Sequence, residues 1–131
     1  MKQAASTNDA PSAPAFLSQA IVSNNLIFVA GQIHALPDNT LTGDTTEEKV
    51  AQIMKNISAI LNAADATLDD VVKVVIYVTD MAVMPDLNKV YPTYFKEFYP
   101  VREAVCVKAL PLGASIEMSV TAEARGKEQQ P

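Results

Sequence analysis

The run Val71-Val72-Lys73-Val74-Val75-Ile76-Tyr77-Val78-Thr79 constrains this chain more than any other stretch. Branching at Cβ stiffens χ1 and suits pleated backbone, so the run reads as a strand. Its apolar residues follow one another instead of alternating with polar ones. A strand of that kind needs cover on both faces, which places it at the centre of a sheet. Helical patterns flank it in sequence, so the domain is a sheet with helices packed on it.

The first helical pattern is the sharper one. Thr45 followed by Glu48 has the spacing of a capping box. Val50, Ile53, Met54, Ile57, Ile60, Leu61 and Ala64 then recur on one helix face, with Glu47, Lys49, Gln52, Lys55, Asn56 and Asn62 on the other. A second helix is predicted from near Pro85, a residue suited to a first turn. Leu87, Val90, Tyr91, Tyr94, Phe95 and Phe98 make its apolar stripe, and Pro92 is expected to kink or shorten it. Before the first helix, Ser18–Val22 and Leu26–Ile33 read as two strands joined by Asn24-Asn25, a hairpin signal. Gly31 within the second of these predicts a bulge or a close backbone approach. Two further strands fall at about 102–109 and 114–123, and the last alternates cleanly. Ile116, Met118, Val120 and Ala122 share one side of it; Ser115, Glu117, Ser119, Thr121 and Glu123 share the other.

The order is therefore β-β-α-β-α-β-β, an α+β domain over residues 15–124 with both helices on one sheet face. Residues 1–14 lack periodicity and read as a flexible arm, and 125–131 as a flexible polar tail. A central strand apolar on both sides, in a sheet with helices on one face only, predicts that the second face packs against other copies of the chain. A small closed oligomer with sites at its seams follows.

Composition excludes several function classes. A net charge of −5, with ten scattered Lys and Arg, opposes a phosphate-backbone binder, so no nucleic-acid partner is expected. One histidine and one cysteine rule out a multi-His metal centre and an intrachain disulfide within 131 residues. No apolar run approaches the roughly 18 residues of a membrane span, so no membrane partner is expected. No secretory pattern opens the chain, and a cytoplasmic location is the expectation.

The candidate chemistry lies in Pro100-Val101-Arg102 and Ser115-Ile116-Glu117. An arginine beside apolar residues requires an anionic partner, and its planar fork holds a carboxylate through two parallel hydrogen bonds. Glu117, on the strand that follows, is placed to handle a proton or a water. The plain alternatives are a structural ion pair for Arg102, with Glu117 or a neighbouring subunit, and a solvated strand position for Glu117. Asn88 reads equally as a cleft residue or a helix-surface one. Cys106 and His34 read as packing residues.

Taken in order, several segments resemble one family: Ser18-Gln19-Ala20, Phe28-Val29-Ala30-Gly31-Gln32-Ile33, Asp69-Asp70-Val71-Val72-Lys73, Tyr77-Val78-Thr79-Asp80-Met81, Asn88-Lys89-Val90-Tyr91 and Pro100-Val101-Arg102. The chain is similar over residues 14–124 to the reactive-intermediate deaminases, the Rid or YjgF family. The resemblance implies a chorismate-mutase-like fold and a homotrimer whose three sheets form a central barrel, with sites between subunits. It implies hydrolysis of small-molecule enamine and imine carboxylates such as 2-aminoacrylate to 2-oxo acids and ammonia, with no cofactor and no metal. By position, Arg102 matches the family's carboxylate-binding arginine and Glu117 its water-handling glutamate. Asn88 and the backbone at Gly31 match cleft positions.

Three positions depart from the family pattern. Leu17 stands where a tyrosine is usual, Ala30 where a serine is usual, and Ala104 where a cysteine is usual. With Phe16, these apolar residues are expected to line the substrate site and to favour a bulkier or more apolar imine acid. The resulting expectation is a 2-iminobutanoate/2-iminopropanoate deaminase-like hydrolase. The rivals are a deaminase of a larger, aminomuconate-like unsaturated amino acid, and a non-catalytic carboxylate-binding or chaperone-like member. A ribonuclease or translation-inhibitor role, sometimes attached to the family, is opposed by the acidic charge balance.

Overall fold

The computed structural model describes residues 1–96 and 98–125. A six-stranded sheet carries two helices on one face. Its strands are β1 (Gln3–Ala5), β2 (Ala20–Ser23), β3 (Leu26–Ile33), β4 (Val71–Val78), β5 (Val101–Cys106) and β6 (Ile116–Glu123), in the spatial order β1-β2-β3-β6-β4-β5. Helix α1 (Thr46–Ala63) connects β3 to β4, and α2 (Met84–Val90) connects β4 to β5.

Local signals account for much of this. Thr45 caps α1 through the reciprocal bonds the sequence predicted: its hydroxyl accepts the Glu48 N–H at 3.1 Å, and Glu48 Oε1 accepts the Thr45 N–H at 3.1 Å. Asn24 and Asn25 both have positive φ, 52° and 65°, and join β2 to β3 in a two-residue hairpin that pairs Ser23 with Leu26. Helix α2 stops at Val90, and the chain from Tyr91 to Tyr94 tightens into a 3-10 turn around Pro92. Phe98 leaves the stripe assigned to it and is 95% exposed, because the helical period ends at that turn.

The core lies between the helices and one face of the sheet. Val50, Ile53, Ile57, Ile60 and Leu61 of α1 meet Val74, Ile76 and Val78 of β4, and Ile116, Met118 and Val120 of β6. The alternation of β6 is realised in full, with Ile116, Met118, Val120 and Ala122 buried on the helix side. Strand β4 is central, between β6 and β5, but within one chain only its helix side is covered. Val75 and Tyr77 on its other side are half-buried, and Val72 and Lys73 are exposed.

The N-terminal segment is not a loose arm. Gln3, Ala4 and Ala5 pair with Val22, Ile21 and Ala20 at the sheet edge. The following residues are tied down by Gln19, which is buried. Its Oε1 accepts the Thr7 N–H at 2.7 Å, and its Nε2 donates to the carbonyls of Pro11 at 2.8 Å, Thr7 at 3.1 Å and Ala10 at 3.2 Å. One side-chain amide satisfies backbone groups that a segment of Ala, Ser and Asn has no pattern to satisfy by itself. At the other terminus Arg125 is ion-paired with Asp70 at 3.0 Å, while the rest of the expected tail, 126–131, lies outside the described residues.

Gln19→Ala is expected to destabilise the fold by about 1–3 kcal/mol, since buried backbone groups lose their partner. Amide hydrogen exchange over residues 3–11 should speed up far more than over α1. Unchanged protection of 3–11 in that variant would contradict the latch.

Candidate active site

Arg102 and Glu117 are both strand residues, and the strand register decides what each can meet. Arg102 pairs with Val74 of β4, and Val74 is fully buried on the helix side. Cα partners in a ladder share a face, so Arg102 points to the helix side of the β5 edge. There its Nη2 donates to Asn88 Oδ1 of α2 at 2.8 Å, and its guanidinium carbon lies 4.9 Å from the centroid of the Tyr91 ring. Among the described residues Arg102 makes no ion pair. Ala104 and Cys106 follow it on the same side of β5, and both are exposed. The expectation that Cys106 is a buried packing residue fails because β5 is an edge strand with neither face fully covered.

Glu117 pairs with Tyr77 of β4 and with Ile33 of β3, on the side away from the helices. Its carboxyl group lies over Gly31: a Cβ at Gly31 would collide with the Glu117 carboxyl oxygen. The ladder between β3 and β6 slips between Val29 and Gln32, so the bulge that Gly31 predicts and its close approach to a neighbour are both present. Burial raises the Glu117 pKa above the usual carboxylate value. A carboxyl shifted in this direction keeps its proton nearer to neutral pH and is better suited to giving and taking one. The Ala30 N–H donates to the Gln19 carbonyl at 2.8 Å, which brings the Phe16-Leu17 turn to within a few residues of the bulge. Phe16 is 81% exposed there, and Leu17 is exposed as well.

The residues predicted from the sequence thus fall into two clusters. Arg102, Asn88 and Ala104 lie on the helix side of the β5 edge. Glu117 and Gly31 meet at the β3–β6 pair with Ala30 beside them, and Leu17 lies exposed on the segment leading into β2. Strand β4 separates β5 from β6, so Arg102 and Glu117 are not on neighbouring strands, and they face opposite sides of the sheet. They do not form one site within a chain, nor the Arg102–Glu117 ion pair that was one form of the structural alternative.

One residue takes a role that the sequence reading did not give it, while His34 keeps its packing role. Tyr91 was assigned to the helix stripe and does pack against Phe95, with ring centroids 5.0 Å apart, but its ring also underlies Arg102. Its spacing of three from Asn88, which places both on one helix face, was the available signal. His34 is buried and structural: its Nδ1 bonds the Thr42 carbonyl at 2.9 Å, and its Nε2 accepts the Ser115 N–H at 3.1 Å. Accepting at Nε2 requires the neutral ring with its proton on Nδ1.

Comparisons with known proteins agree with this architecture. The family model described as Endoribonuclease L-PSP matches residues 7–124. Protein HMF1 of Saccharomyces cerevisiae is 43% identical over 116 residues, covering 88% of this chain and 90% of that protein. The chain belongs to the Rid (YjgF) family. A chloroplastic protein of Arabidopsis thaliana named Reactive Intermediate Deaminase A is 37% identical over 122 residues, 92% of this chain and 65% of that one. The crystal structure of YyfA from Yersinia pestis, a Rid-family protein of unknown function, superposes with a TM-score of 0.90 at 38% identity. It covers 95% of this chain and 100% of that one. The α+β sheet with two helices is the fold of these Rid-family structures.

The state of His34 sets a pH dependence. Burial lowers its pKa below 6.5. The unfolded chain therefore binds this proton more readily than the folded one, and stability rises with pH across the interval between the two values. The contribution of His34 is complete above the unfolded value and is lost as pH falls through the folded one. Urea unfolding midpoints should fall from pH 7 to pH 5 in the wild type, and fall less in His34→Gln. Equal slopes would contradict the assignment.

Proposed function

We propose that this protein hydrolyses reactive imine and enamine carboxylates to 2-oxo acids and ammonia, at sites built from two copies of the chain. The observation that carries the reading is the pair of incomplete clusters: an arginine held by Asn88 and Tyr91 with no anionic partner among the described residues, and a carboxyl group whose pKa burial raises, with no cation beside it there. The name of the Arabidopsis relative supports the reaction class. The net charge of −5 favours a small molecule over RNA, the substrate suggested by the description of the family model.

A second copy is the occupant proposed for the uncovered sheet face. Phe28, Val101 and Val105 are exposed on that side, with Tyr77 and Val75 half-buried beside them. β5 also leaves one edge of the sheet unpaired. An apolar face of this kind is normally covered by an oligomer partner. Closed rotational symmetry sets the β5 edge of one copy against the β3–β6 region of the next, as the homotrimer implied by the family resemblance would do. Such packing brings Arg102 of one protomer to Glu117 of another, which no rearrangement within one sheet can do.

The chemistry follows from the groups. Arg102 holds the substrate carboxylate with those guanidinium N–H groups not given to Asn88. Glu117 and the backbone at the Gly31 bulge position a water at the imine carbon. Water oxygen adds to that carbon to give a carbinolamine. A proton moves to nitrogen, the C–N bond breaks, and ammonia and the 2-oxo acid leave. An enamine first takes a proton at carbon to become the imine. Leu17, Ala30 and Ala104 offer little to a polar side chain, and we assign the site to 2-aminoacrylate-like acids or their bulkier, apolar analogues. The apolar replacements also motivate a second reading, a carboxylate-binding protein without turnover.

The test is ammonia and 2-oxo-acid release from imines generated in situ, in competition with an imine scavenger. Arg102→Ala should lower kcat/KM by about 100-fold or more while leaving the fold intact, because Arg102 is exposed. Glu117→Gln should lower kcat by about 100-fold, with a smaller effect on KM. Full activity in Arg102→Ala would remove the mechanism. Binding of 2-oxo acids by the wild type without any turnover would establish the second reading.

A further inference from the structure

Arg102 is an exposed side chain on an edge strand, and a long, freely rotating arginine there loses considerable entropy when it binds a ligand. Two contacts restrict it. Asn88 Oδ1 accepts from Nη2 at 2.8 Å, and the Tyr91 ring lies beneath the guanidinium carbon at 4.9 Å. The ring itself cannot swing away: Tyr91 is only 5% exposed and packs on Phe95. We propose that Tyr91 is a positioning residue, whose aromatic face, with Asn88, holds Arg102 so that its remaining N–H groups are aimed at the substrate carboxylate. The inference rests on the imine-deaminase reading for its kinetic consequence, but not for its structural one.

The hydroxyl of Tyr91 is not what does this. It is buried and has no hydrogen-bond partner among the described residues. Enclosed in this way, the hydroxyl is out of reach of a ligand and is not hydrogen-bonded to Arg102. Burial raises its pKa, so the ring stays neutral, and the Arg102 charge only partly opposes that shift. The working part is the π face, which attracts a guanidinium held above it. This separates two substitutions that would otherwise look alike. Tyr91→Phe keeps the face and deletes only the orphaned hydroxyl, whereas Tyr91→Leu and Tyr91→Met fill the space without a face.

The experiment measures kcat and KM on a 2-imino acid for wild type, Tyr91→Phe, Tyr91→Leu and Tyr91→Met. Alongside it, the equilibrium binding of pyruvate and the NMR shift of the Arg102 Nε–H proton are followed. The expected result is a KM and a pyruvate Kd near wild type in the Phe variant. Both should be about 5- to 20-fold weaker in the Leu and Met variants, with kcat changed less, since one cation–π contact is being removed. The ring-current displacement of the Arg102 Nε–H signal should persist in Phe and vanish in Leu and Met. Having two face-less variants keeps the comparison available if one of them folds poorly. Leu and Met variants that bind and turn over as the wild type does would overturn the proposal. So would a Phe variant as impaired as Leu, or an Arg102 signal indifferent to the ring. Failure of the wild type to hydrolyse any imine would sink the deaminase reading instead, and the pyruvate and NMR measurements would still decide the role of Tyr91.

Discussion

The insertion of β6 between β3 and β4 is the constraint on which the rest depends. Two crossover connections, through α1 and α2, lay β3, β4 and β5 down in one direction and put both helices on one face. The gap left between β3 and β4 is filled by the last strand, running antiparallel to both. Its alternating residues then complete the core on one side with Ile116, Met118 and Val120, and place Glu117 on the other. β5 lies beyond β4 at the sheet edge, where Arg102 turns toward α2, and the insertion leaves β4 between it and the strand of Glu117. Placement of the last strand therefore both completes the core and divides the chemistry.

That division explains the economy of the site. A single protomer presents a cation at one edge and a carboxyl group near the middle of the opposite face, so neither neutralises the other. A direct Arg102–Glu117 bond within the chain would quench the clamp and depress the Glu117 pKa instead of leaving it raised by burial. In the proposed assembly, keeping the two apart within a chain preserves both, and activity would be linked to association because the site would form where two copies meet.

Much of the fold was legible because its signals are local. The Thr45–Glu48 box, the Asn24-Asn25 turn, Gly31 at the bulge and the Pro92 break each act within a few residues, and each predicted feature is found. The N-terminal strand was not legible, since Gln-Ala-Ala carries no strand pattern and is ordered by pairing with Ala20–Val22, many residues away. The residues of the candidate site could be named from the sequence, but not their grouping. The relation of Arg102 to Glu117 depends on strand order and on the parity of two strands against a third, and neither is encoded near those residues. Tyr91 was hidden for a different reason: a buried aromatic in a helix stripe reads as core, and here it is core on one side and a platform on the other.

The central claim is that the working site joins Arg102 of one protomer to Glu117 of another. Subunit complementation tests it most directly. Arg102→Ala and Glu117→Gln chains, each inactive alone, are unfolded together, refolded as mixed oligomers and assayed for 2-oxo-acid release from imines. A seam that joins the intact Arg102 of the Glu117→Gln chain to the intact Glu117 of the Arg102→Ala chain carries both groups. Recovery of a substantial fraction of wild-type activity in the mixture is the predicted result. Mixed oligomers confirmed by mass yet as inactive as either parent would place both groups in one chain's site and contradict the account.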